Sequence, residues 1–501
     1  MKSYSYHMYE NFLAKKSIFW NPQTLILIVS YFLIRLLSFL LVGHNLLQSL
    51  IVFIVVLIFA TLYYKNQELA WILLISEFLL GGAGHFFEFF GLSMRTMLFI
   101  TFVLLWFTQT TFNSRTELVG FPKKLIIILS TLLFFTIIAF SNGVINGHGA
   151  KAVIQDLMPF SFFILIFPGY HIFKNRGNQD FLVRSLIAFL ISSAIFALFT
   201  FIIFSSGIEH LQSPFYKWFR DVAMGKITNM GFGFWRIVLP EHLLFVPLTL
   251  LTTSLLMRNE KHHKLWWLML TFAILILILN FSRMYILALI IGFFILKYKH
   301  NIKNWLFVST KFLIIALTLF FSINFLASNG TSIGLELIGL RINSIYKPDI
   351  ETSSLTRMML LPPIFELIKQ NLVLGSGLGA TITFIEPTHY EVITTRHFDW
   401  GYLELLAELG LLGFLSFLAL IIYIIISLIQ KIRLSPDYHD FYIGLFAGLI
   451  AMLFMNITAP ILFHTVGVMF IVSVIILSAK DHSILEDIVL ILYQTFHKLK
   501  N

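Results

Sequence analysis

Apolar runs long enough to cross a lipid bilayer follow one another along almost the whole chain. A membrane span needs roughly 20 mostly apolar residues. Of the 501 residues, 58% are hydrophobic and only 12% are charged, which is more apolar surface than one soluble core could bury. The sequence therefore predicts an integral membrane protein with little chain left for a soluble domain.

These runs predict an all-α, polytopic fold with about fourteen transmembrane helices. The spans are expected near 23–43, 45–64, 69–91, 93–113, 125–142, 153–172, 181–206, 237–257, 265–281, 284–297, 304–326, 402–429, 441–457 and 460–478. Every second break between them contains Lys or Arg, as in YKNQE and KYKHNIKN. Because positive residues mark cytoplasmic loops, both termini are predicted to be cytoplasmic.

Two of the breaks on the other side are long, and they divide the chain. The predicted order is a cytoplasmic segment (1–22), N-terminal helices (23–206), a first external loop (207–236), central helices (237–326), a large external, periplasmic loop (327–399), C-terminal helices (400–478) and a cytoplasmic amphipathic tail (479–501). Loops of this length are usually functional or disordered. We expect the second loop to form a partly helical cap, and we expect chemistry on this outer side.

The composition excludes several classes of function. The net charge of +10 comes mostly from short loops between spans, where it sets orientation, so nucleic acid is not an expected partner. The absence of Cys excludes disulfides, thiolate metal sites and a Cys nucleophile. Neither a DxD-like metal motif in an outer loop nor a nucleotide fingerprint occurs, which argues against a nucleotide-sugar transferase or an ATPase.

Several ionisable residues fall inside the predicted spans, where each costs about 2.5–3.5 kcal/mol and needs a partner or a watery cavity. Glu77 and Glu88 are predicted to share one face of the third helix. A network that fixes helix packing is as good an explanation as a functional one, and Arg35 and Lys311 are possible partners. The other ionisable residues in spans are His85, Asp156, Glu241 and His242.

Two arginines lie at the predicted outer boundary, where positive charge is disfavoured. Arg283 stands between two spans in NFSRMYILALIIGFF, and Arg236 stands at the mouth of the eighth span in GFGFWRIVLPEHLLF. Snorkelling of the side chains is the structural alternative. Guanidinium groups bind phosphate bidentately, so the pair is a candidate clamp for a phosphate or pyrophosphate.

His397 precedes the span that begins RHFDWGYLELLAELGLLGFLSF. If the helix begins near His397, Glu404 and Glu408 lie on the same face of it. A His beside carboxylates at an aqueous mouth could serve as a general base. The alternative is a single interfacial His that caps the helix, and the spacing leaves both possibilities open.

Three segments in a fixed order, NFSRMYILALIIGFFIL, SLTRMMLLPPIFELIKQNLVLGSGLGA and RHFDWGYLELLAELGLLGFLSFL, resemble the signature region of the O-antigen polymerase and O-antigen ligase superfamily of bacterial polysaccharide enzymes. The resemblance covers about residues 230–420. It implies that His397 is the catalytic His and that Arg283 and Arg236 act with it. Phe398 and Asp399 depart from the Asn or Ser that the family usually has after the His.

The resemblance further implies that the candidate substrate-binding residues are Arg357, Arg220, Glu404, Glu408, Gly375, Gly377 and Gly379. It implies a bacterial cytoplasmic (inner) membrane protein that uses an undecaprenyl-pyrophosphate-linked oligosaccharide as donor and a second glycan as acceptor. No metal or other cofactor is expected. Its further partners would be the lipid bilayer and, among proteins, chain-length regulators and flippases.

The activity implied is a metal-independent, inverting glycosyltransferase, either a polysaccharide polymerase or an O-antigen ligase that transfers the glycan to lipid A core. Arg220 and Gly231 repeat an Arg-to-Gly spacing of polymerase loops, which favours the polymerase. A lipid-linked oligosaccharide flippase is the rival from another class, because it would also have many spans and charges at midplane. A structural subunit of an envelope complex is the third alternative.

Overall fold

The structure is a computed structural model that describes residues 22–112, 121–172, 176–258, 264–346, 352–386, 391–435 and 438–479. Residues 1–21 of the predicted cytoplasmic segment, and the predicted tail from residue 480 onwards, lie outside the described part. The protein is mostly helical, at 77%. Within the described ranges, the only sheets are three two-stranded antiparallel hairpins.

The N-terminal part contains eight α-helices in the residues that the structure describes. They are α1 (Pro22–Leu40), α2 (Asn45–Lys65), α3 (Gln67–Leu80), α4 (Met94–Phe112), α5 (Lys123–Ile145), α6 (Ala150–Ser161), α7 (Ile166–Ile172) and α8 (Arg176–Ser205). The Asn66 side chain caps α3 by accepting the Leu69 N–H at 3.0 Å, a common way to satisfy a free amide at a helix start. Helix α1 packs on α8, and α2 packs on α4.

The third predicted span is wrong beyond Leu80. Helix α3 ends there because Gly81 adopts a φ of 95°, which lies outside the helical region. A 3₁₀ turn (Gly82–Gly84) and a hairpin of β1 (Glu88–Phe89) and β2 (Leu92–Ser93) follow. Glu88 is therefore not on a helix face with Glu77, and its Oε1 lies 2.7 Å from Nδ1 of His85 in this hairpin region.

The first of the two predicted external loops contains a short helix and a hairpin. They are α9 (Pro214–Asp221), β3 (Lys226–Asn229) and β4 (Trp235–Val238). A 3₁₀ turn (Pro240–Leu244) leads into α10 (Phe245–Leu256), α11 (Lys264–Asn280), α12 (Arg283–Lys299) and α13 (Ile302–Ala327). Helix α9 begins with a Ser213 cap and a Pro at its first position, which is the favoured order at a helix start.

The second predicted external loop contains α14 (Leu335–Tyr346), α15 (Thr352–Gln370), β5 (Ile382–Ile385) and β6 (Val392–Thr395). The chain ends its described part with α16 (Gly401–Leu434), α17 (His439–Met455) and α18 (Thr465–Ala479). The two loops touch each other, since Nη2 of Arg341 on α14 lies 3.7 Å from Sδ of Met230 in the turn between β3 and β4. They therefore lie at the same end of the helix bundle.

Helical segments occur at all fourteen predicted span positions. Seven helices in the described ranges are long and apolar enough to cross a membrane, namely Pro22–Leu40, Asn45–Lys65, Lys123–Ile145, Ala150–Tyr170, Phe181–Ser205, Ile302–Ala327 and Gly401–Leu434. Four shorter apolar helices accompany them. The chain is a multi-pass membrane protein, and the number of fourteen crossings stays a prediction.

Two buried ion pairs involve arginines of the N-terminal helices. Arg35 Nη2 lies 3.1 Å from Glu241 Oε1, which confirms the prediction that Arg35 pairs with one of the acids. Arg95 Nε lies 2.7 Å from Glu77 Oε2, and this pairing was not predicted. Lys311 instead lies over aromatic rings, 4.2 Å from the ring centre of Phe307.

Candidate active site

Arg236 and Arg283 are both held at the turn between α11 and α12. Nε of Arg236, on β4, donates to the carbonyl oxygen of Asn280 at 2.7 Å. Asn280 is the last residue of α11, and Arg283 is the first residue of α12. Nη2 of Arg283 donates to Oγ of Ser354 at 2.9 Å, so this turn links the first external loop to the second.

Arg357 continues this line of contacts along α15. It follows Ser354 by one helical turn, so the two side chains are neighbours on one face. Nε of Arg357 lies 3.6 Å from Oδ2 of Asp399, and Nε1 of Trp400 donates to the Arg357 carbonyl at 2.9 Å. We call Arg236, Arg283 and Arg357, with the contacts that join them to Asp399, the arginine belt.

The belt ends next to His397, in the segment between β6 and α16. The His397 side chain is exposed, whereas Phe398 is completely buried. Phe398 belongs to a small apolar cluster with residues of α15, β5 and α16, including Leu360 and Ile382. Asp399 has a φ of 56°, a left-handed value that Asp tolerates better than most residues. Anchoring Phe398 thus leaves His397 on the open side.

The condition that the helix begins near His397 is not met, and the helix begins close to the predicted start of the span at residue 402. Helix α16 begins at Gly401, because residues up to Thr395 pair in the β5–β6 hairpin. His397 therefore does not share a helix face with Glu404 and Glu408. Gly401 has no room for a side chain, since a Cβ there would lie 2.6 Å from the Asn456 carbonyl oxygen.

A residue of α6 connects His397 with the two glutamates. Asp156 lies within hydrogen-bonding reach of Glu408, and its carboxyl group interacts electrostatically with His397. Nη2 of Arg396 donates to Oε1 of Gln155 at 2.9 Å, which ties the same segment to α6. Among the described residues, no group of three or more His, Cys, Asp or Glu has the geometry to hold a metal ion.

The turn that contains Gly375, Gly377 and Gly379 is buried against α5 and α16. The N–H of Gly377 donates to the Glu408 carbonyl at 3.0 Å, and that of Gly375 donates to the Asn371 carbonyl at 2.9 Å. The N–H of Gly379 donates to the Glu408 carboxylate at 3.2 Å. Because these amides already bond to protein, the geometry gives no support to the predicted substrate-binding role of the three glycines.

Helix α16 is interrupted where this turn meets it. Gly410 has a φ of 68° inside the helix, and a Cβ there would lie 2.3 Å from the Gly375 nitrogen. The N–H of Leu411 donates to the Leu372 carbonyl at 2.8 Å. The glycine turn therefore fastens the second external loop to the helices, and it fixes the position of Glu408.

Arg220 lies apart from the belt in its contacts. Its Nε and Nη2 donate to both carboxylate oxygens of Asp221, at 2.7 Å and 3.0 Å. These hydrogen bonds lower the pKa of Asp221 and raise that of Arg220. Gly231 is part of the turn between β3 and β4, where its N–H donates to Asn229 Oδ1 at 2.8 Å. The two residues of the Arg-to-Gly spacing therefore lie at the end of α9 and in the turn between β3 and β4.

Sequence reasoning missed two residues beside the belt. Arg341 is 9% exposed, and its guanidinium lies 5.2 Å from the ring centre of Phe281, two residues before Arg283. An Arg within the apolar pattern of LELIGLRINSIY was the signal that could have found it. His464, in the connection before α18, interacts electrostatically with His397 and Asp399, and nothing in its local sequence marks it.

The His464 side chain is accessible to solvent but has many protein atoms around it. The loss of hydration lowers the pKa of His464 to about 4. The nearby His397 lowers this pKa further, and Asp399 raises it. His464 is therefore neutral near pH 7, and it lies near enough to His397 for the two side chains to interact electrostatically.

Residues 268–418 match the family model described as O-antigen ligase. This match confirms the resemblance to the O-antigen polymerase and ligase superfamily that the motifs indicate. Members of the family are glycosyltransferase-like enzymes of polysaccharide synthesis. Arg283, Arg357 and His397 fall within the matched residues, whereas Arg236 and His464 lie outside them. No match to the chain is found among curated proteins.

Proposed function

We propose that this protein is a polysaccharide polymerase that joins oligosaccharide units carried on undecaprenyl pyrophosphate, on the outer face of the cytoplasmic membrane. The O-antigen ligase match over residues 268–418 supports polymerase- or ligase-type activity in general. The observation that carries the proposal is the arginine belt, in which three contacts lead from Arg236 through the turn before α12 and through α15 to Asp399, two residues after His397.

The belt suits a pyrophosphate leaving group. Negative charge grows on the pyrophosphate as its bond to the sugar breaks, and positioned cations stabilise charge that develops in the transition state. Arg236 and Arg283 donate to a main-chain carbonyl and to a hydroxyl group. These contacts position the two guanidinium groups, whose permanent positive charge would stabilise a bound diphosphate.

His397 suits the role of general base. Its side chain is exposed on the side opposite the buried Phe398, where an acceptor sugar could approach it. The imidazole would take the proton from the acceptor hydroxyl as that oxygen bonds to the anomeric carbon. The bond between the sugar and the pyrophosphate breaks at the same time, and the lipid diphosphate leaves with the electron pair. Inversion at the anomeric carbon is the expected outcome.

The ligase is the second candidate, because the matched family model carries that description. The polymerase has the support of the two external loops, which touch at Arg341 and Met230 and together offer surface for a donor and a growing chain. A flippase is the rival of another class. Buried charges in the spans would favour a flippase, but the buried charges of Arg35 and Arg95 are already paired with carboxylates.

The test is reconstitution of the purified protein with a lipid-pyrophosphate oligosaccharide. A polymerase lengthens the chains on the lipid carrier, a ligase transfers them to lipid A core, and a flippase only moves the donor across the bilayer. His397→Ala should lower product formation about 10²–10⁴-fold, the usual contribution of a general base, without changing the amount of protein in the membrane. Unchanged product length and amount in this variant would remove His397 from the mechanism.

A further inference from the structure

We propose that His464 is a second imidazole of the active site and binds a hydroxyl group of the acceptor sugar beside His397. The inference rests on the proposed function, since it assigns a residue to the acceptor side of the same reaction. His464 lies outside the residues that match the O-antigen ligase model. It belongs to the connection between α17 and α18, so its role does not follow from that match.

The connection that carries His464 is fastened to the beginning of α16, a few residues after His397. The Tyr402 hydroxyl donates to the Leu453 carbonyl at 2.7 Å. The Asn456 carbonyl oxygen packs against Gly401, and the Asn456 side chain accepts the N–H of Leu462 at 2.9 Å. These contacts fix the path of the chain from α17 to His464.

The residue before His464 holds the connection from the other side. Phe463 is 8% exposed, and its ring centre lies 4.9 Å from that of Phe417 on α16 and 6.3 Å from that of Phe160 on α6. Phe463 therefore anchors this connection through its buried contacts, as Phe398 anchors the segment that contains His397. In both places a buried Phe stands next to an accessible His.

The two imidazoles lie close enough to affect each other electrostatically, and Asp399 interacts with both Arg357 and His464. The belt arginines thus lead up to Asp399, and the two imidazoles interact around it, so we assign a guanidinium end and an imidazole end to the site. Displacement at a sugar carbon needs the leaving group and the attacking oxygen on opposite sides. The guanidinium end suits the diphosphate, and the imidazole end suits the attacking sugar.

A neutral imidazole is well suited to hold a sugar hydroxyl. It offers one N–H donor and one nitrogen acceptor, and it adds no positive charge that would oppose protonation of His397 during the reaction. The surroundings keep His464 in this neutral form near pH 7. A purely structural role is less consistent with an accessible side chain, because the neighbouring Phe463 already provides the buried contacts.

The test uses the reconstituted full-length protein with a lipid-pyrophosphate oligosaccharide donor and a soluble oligosaccharide of the same repeat as acceptor. His464→Ala should raise the acceptor KM about three- to tenfold, the effect of one lost hydrogen bond, with the donor KM unchanged. His464→Asn keeps a donor and an acceptor and should recover most of the affinity. His44→Ala, at an exposed His in another connection, is the matched control.

The melting temperature of each variant separates binding from folding. An unchanged acceptor KM in His464→Ala, or an increase in the donor KM instead, would overturn the inference and leave the proposed function intact. An equal loss in the Asn and Ala variants together with lower melting temperatures would show a structural role and overturn it as well. A wild-type protein that forms no product would instead reject the proposed function, and this inference with it.

Discussion

Two sets of arginines in this protein, the buried Arg35 and Arg95 and the three belt residues, differ in burial and in the contacts they make. Arg35 and Arg95, between the N-terminal helices, are each 3% exposed and lie within 3.1 Å of a carboxylate. The belt residues are partly accessible. Arg236 and Arg283 donate to neutral oxygens, and Arg357 lies 3.6 Å from its carboxylate, beyond the range of a good hydrogen bond.

The two sets differ in burial, and we propose that the buried pairs maintain the fold whereas the partly accessible belt binds a ligand. A buried ion pair is neutral as a whole, and its attraction repays the cost of removing both charges from water only when the geometry is good. The belt arginines are partly accessible to water, so less free energy is needed to desolvate their charges, and these charges can attract an anion. We therefore expect the two groups to respond differently to substitution.

The largest effect should come from breaking a buried pair. Glu241→Ala leaves the Arg35 guanidinium uncompensated, and we expect the free energy of unfolding to fall by about 3–5 kcal/mol. The physical reason is that a lone charge in a low-dielectric interior has neither water nor a counter-charge. Denaturant unfolding in detergent, and the amount of folded protein in the membrane, measure the loss.

The double variant Arg35→Met, Glu241→Leu is the control for this pair. Replacing both charges by apolar side chains of similar volume is often neutral or stabilising, so most of the lost stability should return. A double variant that is less stable than Glu241→Ala would contradict the interpretation of the pair as a structural unit, and would indicate that the two residues act separately.

The next effect should appear in activity rather than stability. Arg283→Lys keeps the charge but replaces a planar fork by a point charge, and we expect product formation to fall about 10²–10³-fold, as when one transition-state donor is removed. The melting temperature should stay within the range of the wild type. Initial rates with the reconstituted donor measure the change.

Arg433→Lys provides the matched control, because it makes the same substitution at an exposed position near the end of α16. Full activity in Arg283→Lys would show that bidentate binding is not required at this position. A large fall in melting temperature would show that Arg283 maintains the fold rather than binding a ligand.

Much of the helical architecture could be predicted from the sequence, because long apolar runs in a membrane have few alternatives to helices. The end of α3 shows where this reasoning fails. The apolar residues FFEFF continue the run beyond Leu80, but the chain turns at Gly81 with a φ of 95°. Apolar side chains near a short hairpin and in a helix give the same composition, so the run alone could not distinguish them.

The candidate site was predictable only in its residue types. The Ser-Arg pair, the loop Arg and the His could be identified by order, but the contact between Arg283 and Ser354 joins residues 71 positions apart. The conformation at His397 depends on the burial of Phe398 among residues of three elements. Such tertiary contacts keep His397 outside the helix, so its position relative to Glu404 and Glu408 could not be read from helical spacing.

A third effect, on stability rather than on the chemical step, should come from Gly377→Ala in the glycine turn. Gly377 has a φ of 97°, and a Cβ there would lie 2.1 Å from the Gly143 nitrogen. The left-handed conformation costs about 1–2 kcal/mol, and the overlap costs about 1–3 kcal/mol more. Gly147→Ala is the matched control, because Gly147 has a φ of 72° with nothing within 4 Å and should show only the conformational cost.

The comparison of these two variants in melting temperature and in activity per folded protein tests what the turn does. A lower melting temperature in Gly377→Ala than in Gly147→Ala, with activity per folded molecule preserved, is the result expected if the turn positions Glu408 and the second loop. A stable Gly377→Ala protein with reduced affinity for the donor would instead favour the predicted substrate-binding role. The glycine turn would then be part of the substrate site, like the arginine belt, and would not have only a structural role.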